Sequence, residues 1–152
     1  MLLKIEDWIF EIDREKTEEH SSLEAAENCR CAMCRNFYRG LDGTYAGLKE
    51  KLLSFGIRAE APETMNPAVY TEEKISYDPM YYVFGRIVQV GNGPFLAGSA
   101  LVYPADLGES LDECPVFRLE IDGVDCPWLL DEPFVGGIPT EPEDWPVTTF
   151  QS

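Results

Sequence analysis

Polar and apolar positions alternate with period two near the start of the chain and then change to a helical period. In IEDWIFEID, Trp8, Phe10 and Ile12 fall on one side while Ile9, Glu11 and Asp13 fall on the other, which predicts a half-buried strand. Residues 15–27 predict a helix capped by Thr17, with Glu18 and Glu19 at the positive end of its dipole and a thin apolar stripe from Leu23, Ala25 and Ala26. Met33, Phe37 and Leu41 stand at i, i+4 and i+8, so a helix begun near Cys31 would end at Gly40 or Gly43. Thr44 predicts the cap of a further helix running to Phe55, with Leu48, Leu52 and Phe55 on one face and Gly56 as its stop.

Beyond residue 57 the texture is β. The segment IRAEAPETMNPAV reads as a connection, and MYYVFGRIVQV as a central strand with apolar residues on both faces. Tyr82, Phe84, Val88 and Val90 share one of those faces, and Tyr81, Val83 and Ile87 the other. Gly91-Asn92-Gly93 predicts a turn into PFLAGSALVY as its antiparallel partner, and Asp122-Gly123 a second hairpin after VFRLEID. Seven of the 11 prolines lie from Pro104 onward, so an irregular, acidic, proline-rich tail is expected from about residue 132. Helices early and strands late indicate an α+β fold, with helices of the N-terminal half packed on a mostly antiparallel sheet in one domain over residues 1–152. The expected core holds Trp8, Phe10, Phe37, Leu48, Leu52, Tyr82, Phe84, Val88 and Leu119.

Composition narrows the classes. The 152 residues are 45% apolar and rich in aromatics, which argues against wholesale disorder. With 28 acidic against 12 basic residues the net charge is −16, which disfavours nucleic acid and an anionic membrane surface as partners. Residues 1–60 carry 9 basic and 12 acidic residues, whereas residues 61–152 carry 3 and 16. The second half therefore presents charge of almost one sign, which aids solubility and steers positively charged partners. No apolar run reaches the ~18–20 residues of a membrane span, and MLLKIEDWIFEID lacks the features of a signal peptide; a soluble cytoplasmic protein is expected.

Cys29, Cys31 and Cys34 form C-x-C-x-x-C, the one chemically pointed feature. A turn leading into a helix would let the three thiols converge, and thiolates are preferred ligands of structural zinc, which takes four ligands. His20, the only histidine, and Cys114 and Cys126 compete for the fourth position, since a second C-x-x-C is absent. Two other readings stand beside the metal: buried packing of reduced cysteines, and redox chemistry of Cys31 and Cys34 at a helix N-terminus. The redox reading expects a preceding strand where this sequence has a helix-like stretch. A Cys114–Cys126 disulfide fails on register if Asp122-Gly123 is a two-residue turn.

The string CRCAMCRNFYRG follows an acid-rich strand containing Trp8 and precedes FGIRAE and a Tyr-Val-Phe-Gly-Arg-Ile strand. In these features, over roughly residues 8–90, the chain resembles a group of small uncharacterised bacterial proteins that share a C-x-C-x-x-C-R-N-F element. The resemblance implies no activity and no catalytic residue; it implies that Cys29–Gly40 acts as a unit.

Other motifs fail. Leu96 stands where a dinucleotide fingerprint needs its third glycine, no P-loop is present, and no EF-hand pattern exists among the acids. Arg86 on an apolar strand reads as the partner of a carboxylate. The leading expectation is a non-enzymatic acidic binding protein, of inhibitor, immunity or accessory type, for a basic protein partner. The alternative is a small zinc- or thiol-dependent protein centred on Cys29, Cys31 and Cys34, with His20 as a further ligand.

Overall fold

The computed structural model describes residues 1–134. All but its first three residues, the proline-rich tail expected from about residue 132 lies outside the described residues.

The predicted strand of alternating residues is β2 (Trp8–Ile12), with Trp8, Phe10 and Ile12 buried. It is preceded by β1 (Leu2–Ile5), which the sequence reading passed over. Helix α1 (Arg14–Ala26) starts earlier than expected, because Asp13 rather than Thr17 is its cap: the Asp13 carboxylate accepts from the Lys16 amide at 3.0 Å. Thr17 is instead buried. Its hydroxyl donates to the Asp13 carbonyl and accepts from the Phe84 amide at 3.0 Å, which ties α1 to the sheet. Helices α2 (Ala32–Leu41) and α3 (Ala46–Leu53) fall where the apolar spacing placed them, although α3 is capped by Tyr45 rather than Thr44. The turn after α3 reaches Gly56 at a φ of +92°, a backbone conformation that glycine adopts without steric cost.

The remaining strands are β3 (Ala68–Thr71), β4 (Lys74–Tyr77), β5 (Met80–Gln89), β6 (Phe95–Ala97), β7 (Ala100–Leu111), β8 (Cys114–Asp122) and β9 (Val124–Cys126). The fold is α+β, with strands paired antiparallel throughout in the order β1-β2-β5-β8-β7-β6 and, in a smaller sheet, β3-β4-β9. The larger sheet is a nearly closed barrel rather than an open layer. The Trp8 indole donates to the Gly93 carbonyl at 2.8 Å, and the Leu96 amide to the Glu6 carboxylate at 3.2 Å, so the β1–β2 turn meets the β6 edge.

Three expectations about the strands are corrected. Asp122-Gly123 is not a hairpin turn: β8 pairs with β5 and β7, and Gly123, at φ +82°, redirects the chain into β9, which pairs with β4. The partner of β5 is not the segment after Gly93, which folds on itself as the β6–β7 hairpin around Gly98. The buried face of β5 also differs. Tyr81 and Val83 are buried, Phe84 is buried beside them, Tyr82 is only half-buried and Val88 is 50% exposed. A register shift between β2 and β5 falls at Val88, between the Ile9–Gln89 and Phe10–Ile87 pairs, while Gly85 lies at φ +144° opposite Ile12.

Phe10 is the centre of the core. Its ring stacks on Phe117 at 5.3 Å and meets Phe55 edge-on at 5.2 Å, while Phe55 stacks on Phe95. Phe37 from α2 lies 5.3 Å from Tyr77 on β4. Arg86 forms an exposed ion pair with Glu11 at 2.8 Å, the carboxylate partner expected for it.

Candidate metal centre

The cysteine segment is the turn between α1 and α2. Cys31 caps α2 in an extended conformation (φ −66°, ψ 162°), and its carbonyl accepts the Arg35 amide at 2.9 Å. No side chain caps the amides of this helix start. The turn is braced at both ends. Asn28 donates to the Glu60 carbonyl at 3.0 Å, Arg35 Nε to the Arg30 carbonyl at 2.8 Å, and the Tyr38 hydroxyl to the Cys29 carbonyl at 2.8 Å.

The residues after the third cysteine anchor the helix. Asn36 is fully buried; its amide donates to the Tyr77 hydroxyl at 3.2 Å and the Pro127 carbonyl at 3.0 Å, and its carbonyl accepts from the Leu129 amide at 2.6 Å. The Tyr77 hydroxyl in turn donates to the Met33 carbonyl at 2.8 Å. A buried side chain satisfied on all these sides fixes its element in one position. Arg35 forms a two-pronged ion pair with Glu132, and Phe37 enters the core.

The outcome is convergence: the three sulfurs lie within 4.8 Å of one another, with Cys29 and Cys31 exposed and Cys34 buried. The Cys31 amide and then the neighbouring thiols hold the Cys29 thiol below its usual pKa. Burial, and then donation to Cys29 and Cys31, pushes the Cys34 thiol well above it. One thiol is thus disposed to ionise and its buried neighbour to donate. Three soft sulfur donors at this spacing match the first ligands of a zinc site.

The fourth ligand weighed from sequence is not in this group. His20 lies with Glu24 and Glu63 instead, its Nε2 2.5 Å from Glu63 Oε2. Cys126 is buried on β9, where desolvation pushes its thiol up to about 11, and Cys114 lies on β8. Neither joins the cluster, and all five cysteines are free. Tyr38 and Asn36 escaped the sequence reading although they sit inside the Cys-Arg-Asn-Phe-Tyr string, because nothing in an isolated Asn or Tyr tells a buried brace from a surface residue. Glu24 carried one signal, its position four residues after His20 on a helix.

A groove of about 410 Å³ adjoins the cluster, lined by Ser22, Asn28, Arg30, Arg35, Tyr38 and Arg58 among others. Among the described residues Arg30 and Arg58 form no ion pair, whereas Arg35 pairs with Glu132 and Glu60 adds a carboxylate to the lining, so the groove is weakly positive in an acidic chain. Among the described residues no helix is long and apolar enough to cross a membrane.

No family model, no curated protein and no solved structure matches the chain.

Proposed function

We propose that the chain is a zinc-binding protein whose Cys29–Cys31–Cys34 turn is its metal site. The observation that carries this reading is the convergence of the three sulfurs within 4.8 Å at the start of α2, on a turn braced by Tyr38, Arg35 and Asn28. Bound zinc would draw the protons off all three thiols, overcoming the burial that favours the neutral Cys34. With three protein donors, the fourth position would be filled from outside the cluster, by water or by a donor of a partner, because the two outer thiols are exposed. The metal would clamp the turn between α1 and α2. It would thereby fix the helical half over the sheet, through Thr17 on Phe84, Phe55 on Phe10 and Phe37 on Tyr77.

Elemental analysis of protein purified without added metal tests the reading. About one equivalent of zinc is expected, with Zn–S distances near 2.3 Å by X-ray absorption. Loss of the Zn–S signal in Cys29→Ser/Cys31→Ser is also expected. Metal-free protein that takes up no zinc on titration would overturn it.

A second reading, an acidic cytoplasmic binding protein for a basic partner, has one observation in its favour. A groove of about 440 Å³ is lined by Asp78, Arg118, Glu120 and Asp122 among others. Asp78 is held above its usual pKa by burial and then by the charges of Asp122 and Asp125, which marks local negative charge beside the one cation of the groove, Arg118, which pairs with Glu120 at 3.7 Å. Binding of an oligo-lysine peptide that weakens steeply with salt and is lost in Asp78→Asn/Asp122→Asn would support it. Equal binding by the variant would remove it.

A further inference from the structure

The histidine that sequence spacing offered to the cysteines has two other companions. His20 and Glu24 stand four residues apart on α1, so they share a face of the helix, and Glu63 comes from the segment that follows α3. One ligand atom from each lies within 4.8 Å of the others. The group is only partly exposed: the His20 and Glu63 side chains are 22% and 16% accessible.

We propose that His20, Glu24 and Glu63 form a second divalent-cation site, distinct from the thiol cluster. Three features support it. The first is preorganisation. The segment carrying Glu63 is tied to α1 and the turn after it: Ser21 Oγ accepts the Arg58 amide at 2.8 Å, and Asn28 donates to the Glu60 carbonyl at 3.0 Å. It is tied to β5 by the Glu63 amide, which donates to the Met80 carbonyl at 2.7 Å. The His20 ring is set edge-on to Phe84 at 5.6 Å. The donors therefore meet without the backbone having to move, as a metal site requires.

The second feature is charge. Two carboxylates converge on one imidazole, and among the described residues no lysine or arginine ion pair reaches Glu24 or Glu63. Glu63 Oε2 lies 2.5 Å from His20 Nε2, and Glu24 brings a second carboxylate to the same point. A divalent cation would supply the missing charge.

The third feature is donor chemistry. One imidazole nitrogen with two carboxylate oxygens suits zinc, manganese or cobalt of ordinary hardness, whereas the sulfur cluster suits softer ions. The proposal does not rest on zinc at the cysteines, and cobalt distinguishes the two sites. Sulfur-bound Co²⁺ gives an intense near-ultraviolet charge-transfer band, and nitrogen- and oxygen-bound Co²⁺ gives only weak visible bands.

The experiment is a Co²⁺ titration of the full chain and of Cys29→Ser/Cys31→Ser, a variant of two exposed positions, with folding checked by circular dichroism. The cysteine variant is expected to bind about one equivalent, with visible bands and no sulfur band. Adding His20→Gln or Glu24→Gln should remove that equivalent. Should the cysteine variant fail to fold, the unaltered chain serves, with a second equivalent expected to add visible absorption and no sulfur band. A folded cysteine variant that binds no Co²⁺, binding that survives both further substitutions, or an unaltered chain that saturates with sulfur-bound metal alone would each overturn the second site. Absence of the sulfur band with the visible bands retained would overturn only the cysteine site.

Discussion

The Tyr38 hydroxyl donates to the Cys29 carbonyl at 2.8 Å, so the second turn of α2 reaches back to hold the first thiol of the cluster. Neighbours of this kind orient metal ligands without touching the metal, and their loss typically costs ~10–100-fold in affinity. Tyr38→Phe is therefore expected to weaken zinc binding about tenfold or more. The ring would still pack beside Phe37 at 6.0 Å, so metal-free stability should change little. Competition with a chromophoric chelator measures the first quantity and urea unfolding of metal-free protein the second. Unchanged zinc affinity would mean that Arg35 and Asn28 suffice to hold the turn.

Metal bound only by the folded state stabilises it by mass action, by about 2.7 kcal/mol at a free zinc concentration of 100 times Kd. Chelation is expected to lower the melting temperature of zinc-loaded protein, and readdition of zinc to restore it. Cys29→Ser/Cys31→Ser should lose the part of this shift that comes from the thiols and respond less to chelator than wild type. A wild-type melting temperature that ignores chelator would place the metal, if bound, outside the folding equilibrium.

The helical half was legible because its signals are local. Met33, Phe37 and Leu41 mark one face of α2, and Gly56 marks the stop after α3, from spacing and backbone freedom alone. The strands misled where the deciding partner is distant in sequence. Asp122-Gly123 has the composition of a hairpin turn, yet Gly123 serves a change of sheet. The turn actually joining β7 to β8 puts Asp112 and Glu113 at φ +51° and +65°, without the glycine or asparagine that announces such a turn. At the site, the sulfur convergence followed from spacing within a short segment. The place of His20 did not, because Glu63 is 43 residues away and only the fold brings it near.

Burial separates residues that the sequence grouped together. Phe10 and Phe37 are 0% and 1% exposed, and each is expected to cost about 3–5 kcal/mol on replacement by Ala. Val88, placed in the core by its alternation with Phe84, is half-exposed, so Val88→Ala should fall within about 0.5 kcal/mol of wild type. Urea unfolding of the three variants checks the ranking. A Val88 loss comparable to that of Phe37 would mean that the end of β5 is covered in solution.

Asp78 gives a pH dependence with a definite sign. Burial, then the charges of Asp122 and Asp125, hold its carboxyl above the usual range, so the folded chain binds this proton more tightly than the unfolded chain. Ionisation of Asp78 therefore costs stability. The cost is fully present above the raised folded value and disappears as pH falls below the ordinary carboxylate value of 3.8. Asp78→Asn should raise the melting temperature at neutral pH, and the gain should vanish toward pH ~3 and shrink with added salt. A gain independent of pH would assign the effect to something other than charge.

Gly85 explains why the aromatic strand continues as Gly-Arg-Ile. It lies opposite Ile12 at φ +144°, and a Cβ built there would sit 2.1 Å from the Glu11 carbonyl oxygen and 3.0 Å from the Ile12 Cα. Both obstacles are backbone of the paired strand, so no side chain can swing aside to make room. Gly85→Ala must therefore either part β2 from β5 or force alanine into a conformation costing ~1–3 kcal/mol, with overpacking adding a similar amount. A total loss of about 3–5 kcal/mol is expected, large for an alanine substitution outside the hydrophobic core. Phe84 and Arg86 flank this position, one buried and the other paired with Glu11, so the strain should also disturb that ion pair. The same substitution at Gly93 meets nothing within 4 Å, and there only the positive φ of +145° opposes it. Urea unfolding of the two variants separates steric conflict from backbone preference: Gly85→Ala should lose clearly more than Gly93→Ala. Equal losses would mean that β2 and β5 are not held as closely as their pairing places them.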